Sequence, residues 1–308
     1  MKHRPLALCA AAMALLALFS GIGLLVDPRM VMDEGVWLKP FKFAASFTLY
    51  TLTLAWMIGQ SQKWRRTLWW LGTVTVALFV VPEISVITFQ AARGVRSHFN
   101  VGTAFDDTMF KVMGGAAYLG WVLTFALGVF LVLQRRVDRP MAWAVPLGLV
   151  ISLAGMSVGY LMTAPRPGQT KALGVLGAHS VGGLDGGAGM PLTGWSTGAG
   201  DLRVSHFVGL HALQALPLLA IGLRLLARRF PVLESAATRS ALVVVAALGY
   251  AGLTGLLVWQ AQRGESLAHP GAQTLAAFAA LVAVVTIATT AIVIIPVRHA
   301  ARRPALTA

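Results

Sequence analysis

The chain has 308 residues, 57% of them hydrophobic and only 12% charged, with a mean hydropathy of +0.73 and a formal net charge of +14. A water-soluble domain carries about twice that charged fraction, so too few polar groups are present to cover a globular surface and lipid is the expected solvent. The basic excess is segregated by loop, which fits membrane orientation and excludes nucleic acid as its partner.

The expected fold is all-α, a single polytopic transmembrane bundle of about eight spans, because backbone in hydrocarbon must satisfy its own hydrogen bonds and the apolar runs are too long for barrel strands. In chain order the spans are predicted at 6–26, 43–59, 68–91, 111–133, 141–163, 204–223, 240–260 and 273–296. The first follows Lys2-His3-Arg4 and stays apolar to Val26 with no convincing cleavage site, so it reads as a signal anchor. Cys9, the single cysteine, lies within it and can form no intramolecular disulfide.

The connections alternate in charge. Lys2, Arg4, Lys63, Arg65, Arg66, Arg135, Arg136, Arg139, Arg224, Arg228, Arg229, Arg239, Arg298, Arg302 and Arg303 face only Asp138 and Glu234 on one side. The other side carries most remaining acids, among them Asp27, Asp33, Glu34, Asp106, Asp107, Asp185, Asp201 and Glu265. The positive-inside rule then places both termini in the cytoplasm. Two long connections fall on the non-cytoplasmic side, 92–110 and 164–203. The second is rich in glycine but has no Gly-Lys-Ser/Thr element and follows no strand, so it is not a phosphate-binding loop. It reads as a flexible linker or, alternatively, as a lid or re-entrant segment over a pocket with Trp195 as its anchor. Gly155 and Gly159, and Gly249, Gly252 and Gly255, are expected to mark close helix packing.

Polar residues inside or beside the spans are where chemistry is expected. Glu83 lies well within the third span beside Pro82, and a carboxylate in hydrocarbon is costly enough to be functional by default, as a proton carrier, cation site or metal ligand. Its structural alternative is a protonated side chain bonded to a neighbouring helix. Lys42, at the start of the second span, either snorkels to the interface or turns inward to neutralise Glu83 or an anionic ligand. Gln90, Arg93, Arg96, Ser97, His98 and Asn100 form a dense polar run suited to an anionic headgroup or a pocket mouth. Thr103 three residues before Asp106 resembles a capping box. Asp107 pairs with Lys111 at i,i+4, or serves as a base. The richest segment runs from Asp201 through Arg203, Ser205, His206 and His211 to Gln214, with Asp201 or Ser205 as the helix cap. His206 and His211 are five apart, about 140° around a regular helix, so each would need ligands from another helix, such as His98, to hold a metal. His179 and His269, loop residues on the same side, read as solvated histidines or, alternatively, as further members of a site there.

The segments Trp37-Leu-Lys39-Pro-Phe-Lys42-Phe, Ser97-His98-Phe-Asn100 and His206-Phe-Val-Gly-Leu-His211-Ala-Leu-Gln214 resemble those of a group of bacterial polytopic membrane proteins. That resemblance covers most of the chain and implies the bacterial inner membrane, but brings no activity with it. A fainter likeness is to the seven-span hydrolase superfamily of alkaline ceramidases and adiponectin receptors, which combine a serine, an aspartate and three histidines around zinc. Ser97, His98, Asp107, His206 and His211 supply those residue types, whereas the family's paired histidines stand four apart on its last helix.

Three functions follow as expectations. The first is a metal or haem site near the non-cytoplasmic face, built from His98, His206 and His211, with zinc among the possible metals. Glu83, Asp107, Arg93 and Lys42 would be its catalytic groups and Trp195, Gln90 and Gln214 its cofactor contacts, acting in redox or metal-assisted chemistry on a lipid-soluble substrate. The second is a proton- or cation-coupled transporter using Glu83. The third is a non-catalytic assembly protein, which predicts fully paired polar groups and no cavity. Membrane lipids are partners in all three.

Overall fold

The computed structural model describes residues 3–134 and 138–301, with side chains described as far as Ile294. Lys2, Arg135, Arg136, Arg302 and Arg303 of the charge pattern lie outside the described residues, as does the side chain of Arg298.

Among the described residues, seven helices are long and apolar enough to cross a membrane, and one bent pair brings the number up to eight. This is the architecture of a multi-pass membrane protein. The first span is α1 (Arg4–Val26). A small hairpin of β1 (Met30–Val31) and β2 (Glu34–Gly35) then leads into α2 (Leu38–Gly59). The third span combines α3 (Arg65–Thr75), a π-helical turn (Val76–Val80) and α4 (Val81–Ala92). α5 (Ala104–Val132) and α6 (Arg139–Thr163) follow. The bent pair is α7 (Leu202–Leu210) and α8 (Ala212–Leu226), which meet at 45° around His211. α9 (Ala236–Gln262) and α10 (Ala272–Ala301) complete the chain.

Local sequence explains the irregular points. Pro82 cannot donate a backbone hydrogen bond, and the helix widens to π geometry in the turn before it. Phe79 in that turn sits against Gly120 of α5, where an added Cβ would lie 2.5 Å from the ring. The α7–α8 break rests in a glycine groove on α6. A Cβ on Gly155 would stand 2.4 Å from the Gly209 carbonyl carbon, and one on Gly148 would stand 2.8 Å from the Ala212 oxygen. Gly249 and Gly252 of α9 accept Val285 and Leu281 of α10 in the same way, while Gly255 faces open space.

Residues 164–201 form a folded cap over one end of the bundle rather than a linker. Gln169 holds its first turns by accepting from Arg166 N and Gly177 N and donating to Gly177 O. β3 (Ser180–Val181) pairs antiparallel with β4 (Gly200–Asp201). Asp185 accepts from the backbone N–H of His179 and Ser180, and Asp201 from that of Ser196. The glycines serve turns here, with positive φ at Gly182, Gly186, Gly187 and Gly194. His269, in the α9–α10 connection, joins the cap through Nδ1, which lies 3.0 Å from Thr197 O.

Candidate functional site

Beneath the cap lies a cavity of about 700 Å³ that runs down among α2, α4, α5, α6, α7 and the start of α8. Its walls are mainly apolar and aromatic, with Phe43, Phe47, Phe79, Phe110, Trp121 and Met156 among them. Into these walls the fold inserts Glu83, Lys39, Lys42, Arg96 and four histidines, His98, His179, His206 and His211.

α2 presents one face to this space. Lys39, Phe43, Ser46, Phe47 and Tyr50 recur at the three- and four-residue spacing that aligns side chains on a helix. Lys42 is also on that face, but Nζ bonds Thr193 O at 2.6 Å and Glu34 Oε2 at 3.3 Å. It therefore ties the cap down and does not neutralise Glu83. The cation that shares the cavity wall with Glu83 on the face of α2 is Lys39. Lys39 Nζ stands 6.0 Å from the Phe43 ring and makes no hydrogen bond or ion pair among the described residues. The side chain of Arg96 is equally without a partner there.

Glu83 is only 5% exposed, and its Oε2 has no hydrogen-bond partner among the described residues. Nothing in the structure therefore treats it as glue between helices.

The histidines occupy different walls. His98 is packed among Phe43, Phe99 and Phe110, with Ser97 Oγ 3.2 Å from Nδ1. Phe99 beside it is buried at φ +60°, a conformation that costs a non-glycine residue about 1 kcal/mol or more. Burial holds the His98 imidazole well below its ordinary pKa, with Lys39, His179 and His206 adding repulsion. His179 stands 6.3 Å from His98, ring centre to ring centre, and 3.0 Å from Asp185 through Nδ1. Burial lowers its pKa despite the opposing effect of Asp185. Asp185 is itself held well below the carboxylate range: burial would raise it, but His179 and two backbone N–H groups outweigh that. His206 Nδ1 donates to Gly155 O at 2.7 Å, so Nε2 of the neutral ring is a bare acceptor. His211 sits at the helix break, Nε2 3.5 Å from Ser46 Oγ, its ring edge-on to Phe207. Trp195 of the cap packs on the same Phe207.

Of the residues singled out from sequence, Glu83, Lys42, Trp195, Gln214, His98, His206 and His211 line this one cavity. Gln90, Arg93 and Asp107 do not. Gln90 Nε2 and Arg93 Nη1 converge on Asp106 Oδ1 at 2.8 and 2.6 Å, and Thr103 donates to Asp106 Oδ2, a closed cluster joining α4 to α5. Asp107 lies outside it with Lys111 at 2.8 Å and Lys171 at 3.9 Å. Lys39 and Asp185 were not singled out as site residues, and His179 only as an alternative. Lys39 had a signal, since it shares a helix face with Lys42 and Ser46, whereas the loop position of His179 and Asp185 carried none. His3, just before α1, is buried, accepts from Leu6 N through Nδ1 and bonds Trp69 O through Nε2 at 2.9 Å.

The fit to a metal can be tested on these donors. His206, held by the Gly155 carbonyl, and His179, held by Asp185, each show the form that ligates, with one ring nitrogen fixed by an oxygen. Among the described residues, however, no three His, Cys, Asp or Glu side chains are grouped so as to hold a metal ion. His98, His206 and His211 share a cavity rather than a coordination sphere. Comparison with known proteins returns no matching family, no matching curated protein and no matching solved structure.

Proposed function

We propose that the protein binds a lipid-soluble amphiphile in this cavity and carries out proton-transfer chemistry at its polar end. The observation that carries the reading is Glu83: a buried carboxyl group with an unpartnered oxygen, facing an apolar cavity that also holds the unpaired Lys39. An apolar pocket with a few convergent polar groups is the usual form of a small-molecule site, and unpaired buried ionisable groups are retained at a cost that function explains.

The division of labour follows from the partners. Lys42, Arg203 and Asp185 are already engaged by Glu34, Asp201 and His179. Lys39 and Arg96 remain to meet a ligand, which favours an acidic or strongly hydrogen-bond-accepting head. The aromatic walls suit a hydrocarbon body. His206 Nε2 and Glu83 are available to take or give a proton. In this reading the capped end is non-cytoplasmic, both termini are cytoplasmic and the membrane is a bacterial inner membrane, as the loop charges favour. A metal or haem held jointly by the three histidines has no support in their arrangement. A non-catalytic assembly protein is disfavoured because a cavity exists and polar groups in it are unpaired.

A second reading keeps the same cavity but uses Glu83 as the coupling group of a proton-linked carrier. Its unpartnered oxygen is the observation in favour.

The test is the ligand itself. Protein extracted in lipid nanodiscs, and a Met156→Trp variant that fills the cavity, would be analysed for bound small molecules by mass spectrometry. An amphiphile enriched over bulk lipid in the first and missing from the second is expected. Identical contents, matching bulk lipid, would sink the proposal.

A further inference from the structure

α5 and α6 are locked together along part of their length and part company towards the cap. At the locked end, Leu149 of α6 fills the notch at Gly128 of α5. Midway, Trp121 Nε1 donates to Leu153 O at 3.2 Å and to Ser157 Oγ at 3.1 Å. Towards the cap the packing stops: a Cβ built on Gly114 or Gly115 would meet nothing within 4 Å. Here Lys111 and Gly114 of α5 and Tyr160 and Thr163 of α6 are exposed and also line the cavity, so the cavity meets the surface beside two helices that are each long and apolar enough to span.

We propose that this gap is the doorway through which an acidic-headed, single-chain amphiphile enters the cavity from the bilayer. The proposal rests on the amphiphile reading above and adds its route and ligand class. A gap between spanning helices faces lipid, not water, so what passes it is membrane-soluble. Lys111 and Tyr160 at its rim are the residue types that meet lipid headgroups. Lys111 is 67% exposed in its side chain and paired only with Asp107, so it can reach an arriving anion. Inside, Phe110, Met113 and Met156 offer an apolar passage towards the unpaired Lys39 and Arg96. The cavity also reaches exposed residues in the cap, Gly186, Gly187 and Ala188, an opening suited to water and protons.

The full chain would be reconstituted in phosphatidylcholine/phosphatidylglycerol nanodiscs with a trace of a long-chain fatty acid bearing a mid-chain diazirine, irradiated, and mapped by peptide mass spectrometry. Label is expected on Phe110, Met113 or Met156. Gly114→Trp, whose Cβ enters open space and whose indole would obstruct the gap, should cut it several-fold, and Tyr160→Ala should raise it. Gly222→Trp, at another helical glycine facing open space, should leave it unchanged. A water-soluble thiol reagent reacting equally with Ser46→Cys in the plugged and unplugged backgrounds would show that the cavity is intact. Undiminished labelling in Gly114→Trp would overturn the doorway while leaving the amphiphile site standing. No cavity labelling in the unmodified protein would overturn both.

Discussion

Glu34 and Arg203, 169 residues apart in sequence, meet at 2.9 Å between Oε1 and Nη1. The contact pins the β-hairpin before α2 to the start of α7, and both residues also hold the cap. Arg203 donates to Gly194 O at 2.6 Å and to Asp201, while Glu34 receives Lys42, which bonds Thr193 O. Glu34→Gln would leave Lys42 and Arg203 side by side with one less negative charge between them. Each lost charge-assisted bond is worth about 2 kcal/mol, so the cap should loosen before the bundle does. Faster proteolysis within 182–198, with the melting of the helices little changed, is the expected outcome. Unaltered proteolysis would show that the latch carries no strain on opening. Arg203→Lys should behave like Glu34→Gln, because an ammonium cannot span three acceptors as the guanidinium fork does.

Gly155 and Gly209 bring α6 and α7 into backbone contact, and this contact also sets a site residue, since Gly155 O is the acceptor for His206 Nδ1. Gly155→Ala must push the helices apart, because the atoms in the way are backbone. Overpacking of this kind costs about 1–3 kcal/mol. A lower melting temperature together with reduced ligand occupancy is expected. Gly255→Ala, on a face with open space, should change neither.

The order of the helices was legible because hydrocarbon leaves a chain so few options: each predicted span coincides, to within a residue at its ends, with part of a helix, of the α3–α4 composite or of the bent pair. Span ends were less legible, since a helix continues past the membrane wherever capping allows, as α5 does from its Thr103 cap. The cavity was legible in part. Glu83 announced itself by its cost in lipid, and the histidines by their depth. Gln90 and Arg93 carried the same polar signal but are satisfied by Asp106, a partner 16 and 13 residues away that no spacing rule indicates. The lid alternative for the glycine-rich stretch pointed to a cover over a pocket, but composition does not say which of its residues turn inward, so His179 and Asp185 stayed hidden. The straight-helix argument placed His206 and His211 about 140° apart, but the chain breaks at His211, so helical phase ceases to apply across the pair.

The pH dependence of stability follows from His98 and His179, both outside the spans and both held below the ordinary histidine pKa. Above about pH 6.5 the folded and unfolded forms are alike neutral at these positions and nothing is lost. As pH falls below that value the unfolded chain takes up protons that the folded chain refuses, so stability declines, by up to about 1 kcal/mol per histidine one pH unit lower. Thermal melts in detergent should therefore shift downward between neutral and mildly acidic pH. His98→Phe, placed among Phe43, Phe99 and Phe110, should flatten that slope. An equal slope in the variant would remove His98 from the account.

Lys39 and Lys42 occupy the same face of α2 but should respond differently to the same change. Lys42 is engaged by Thr193 O and Glu34, so Lys42→Met should loosen the cap and leave an acidic-headed ligand bound. Lys39 has no partner to lose, so Lys39→Met should leave the fold and the cap intact, or slightly steadier, since burying an unpaired ammonium is costly. What it removes is the cation available to the ligand. A charge-assisted contact of about 1.4 kcal/mol or more corresponds to a tenfold loss of affinity. Native mass spectrometry of the two variants, with cap proteolysis measured alongside, should give opposite patterns: ligand lost and cap firm for Lys39→Met, ligand kept and cap loose for Lys42→Met. Ligand loss in Lys42→Met alone would instead make Lys42 the headgroup contact.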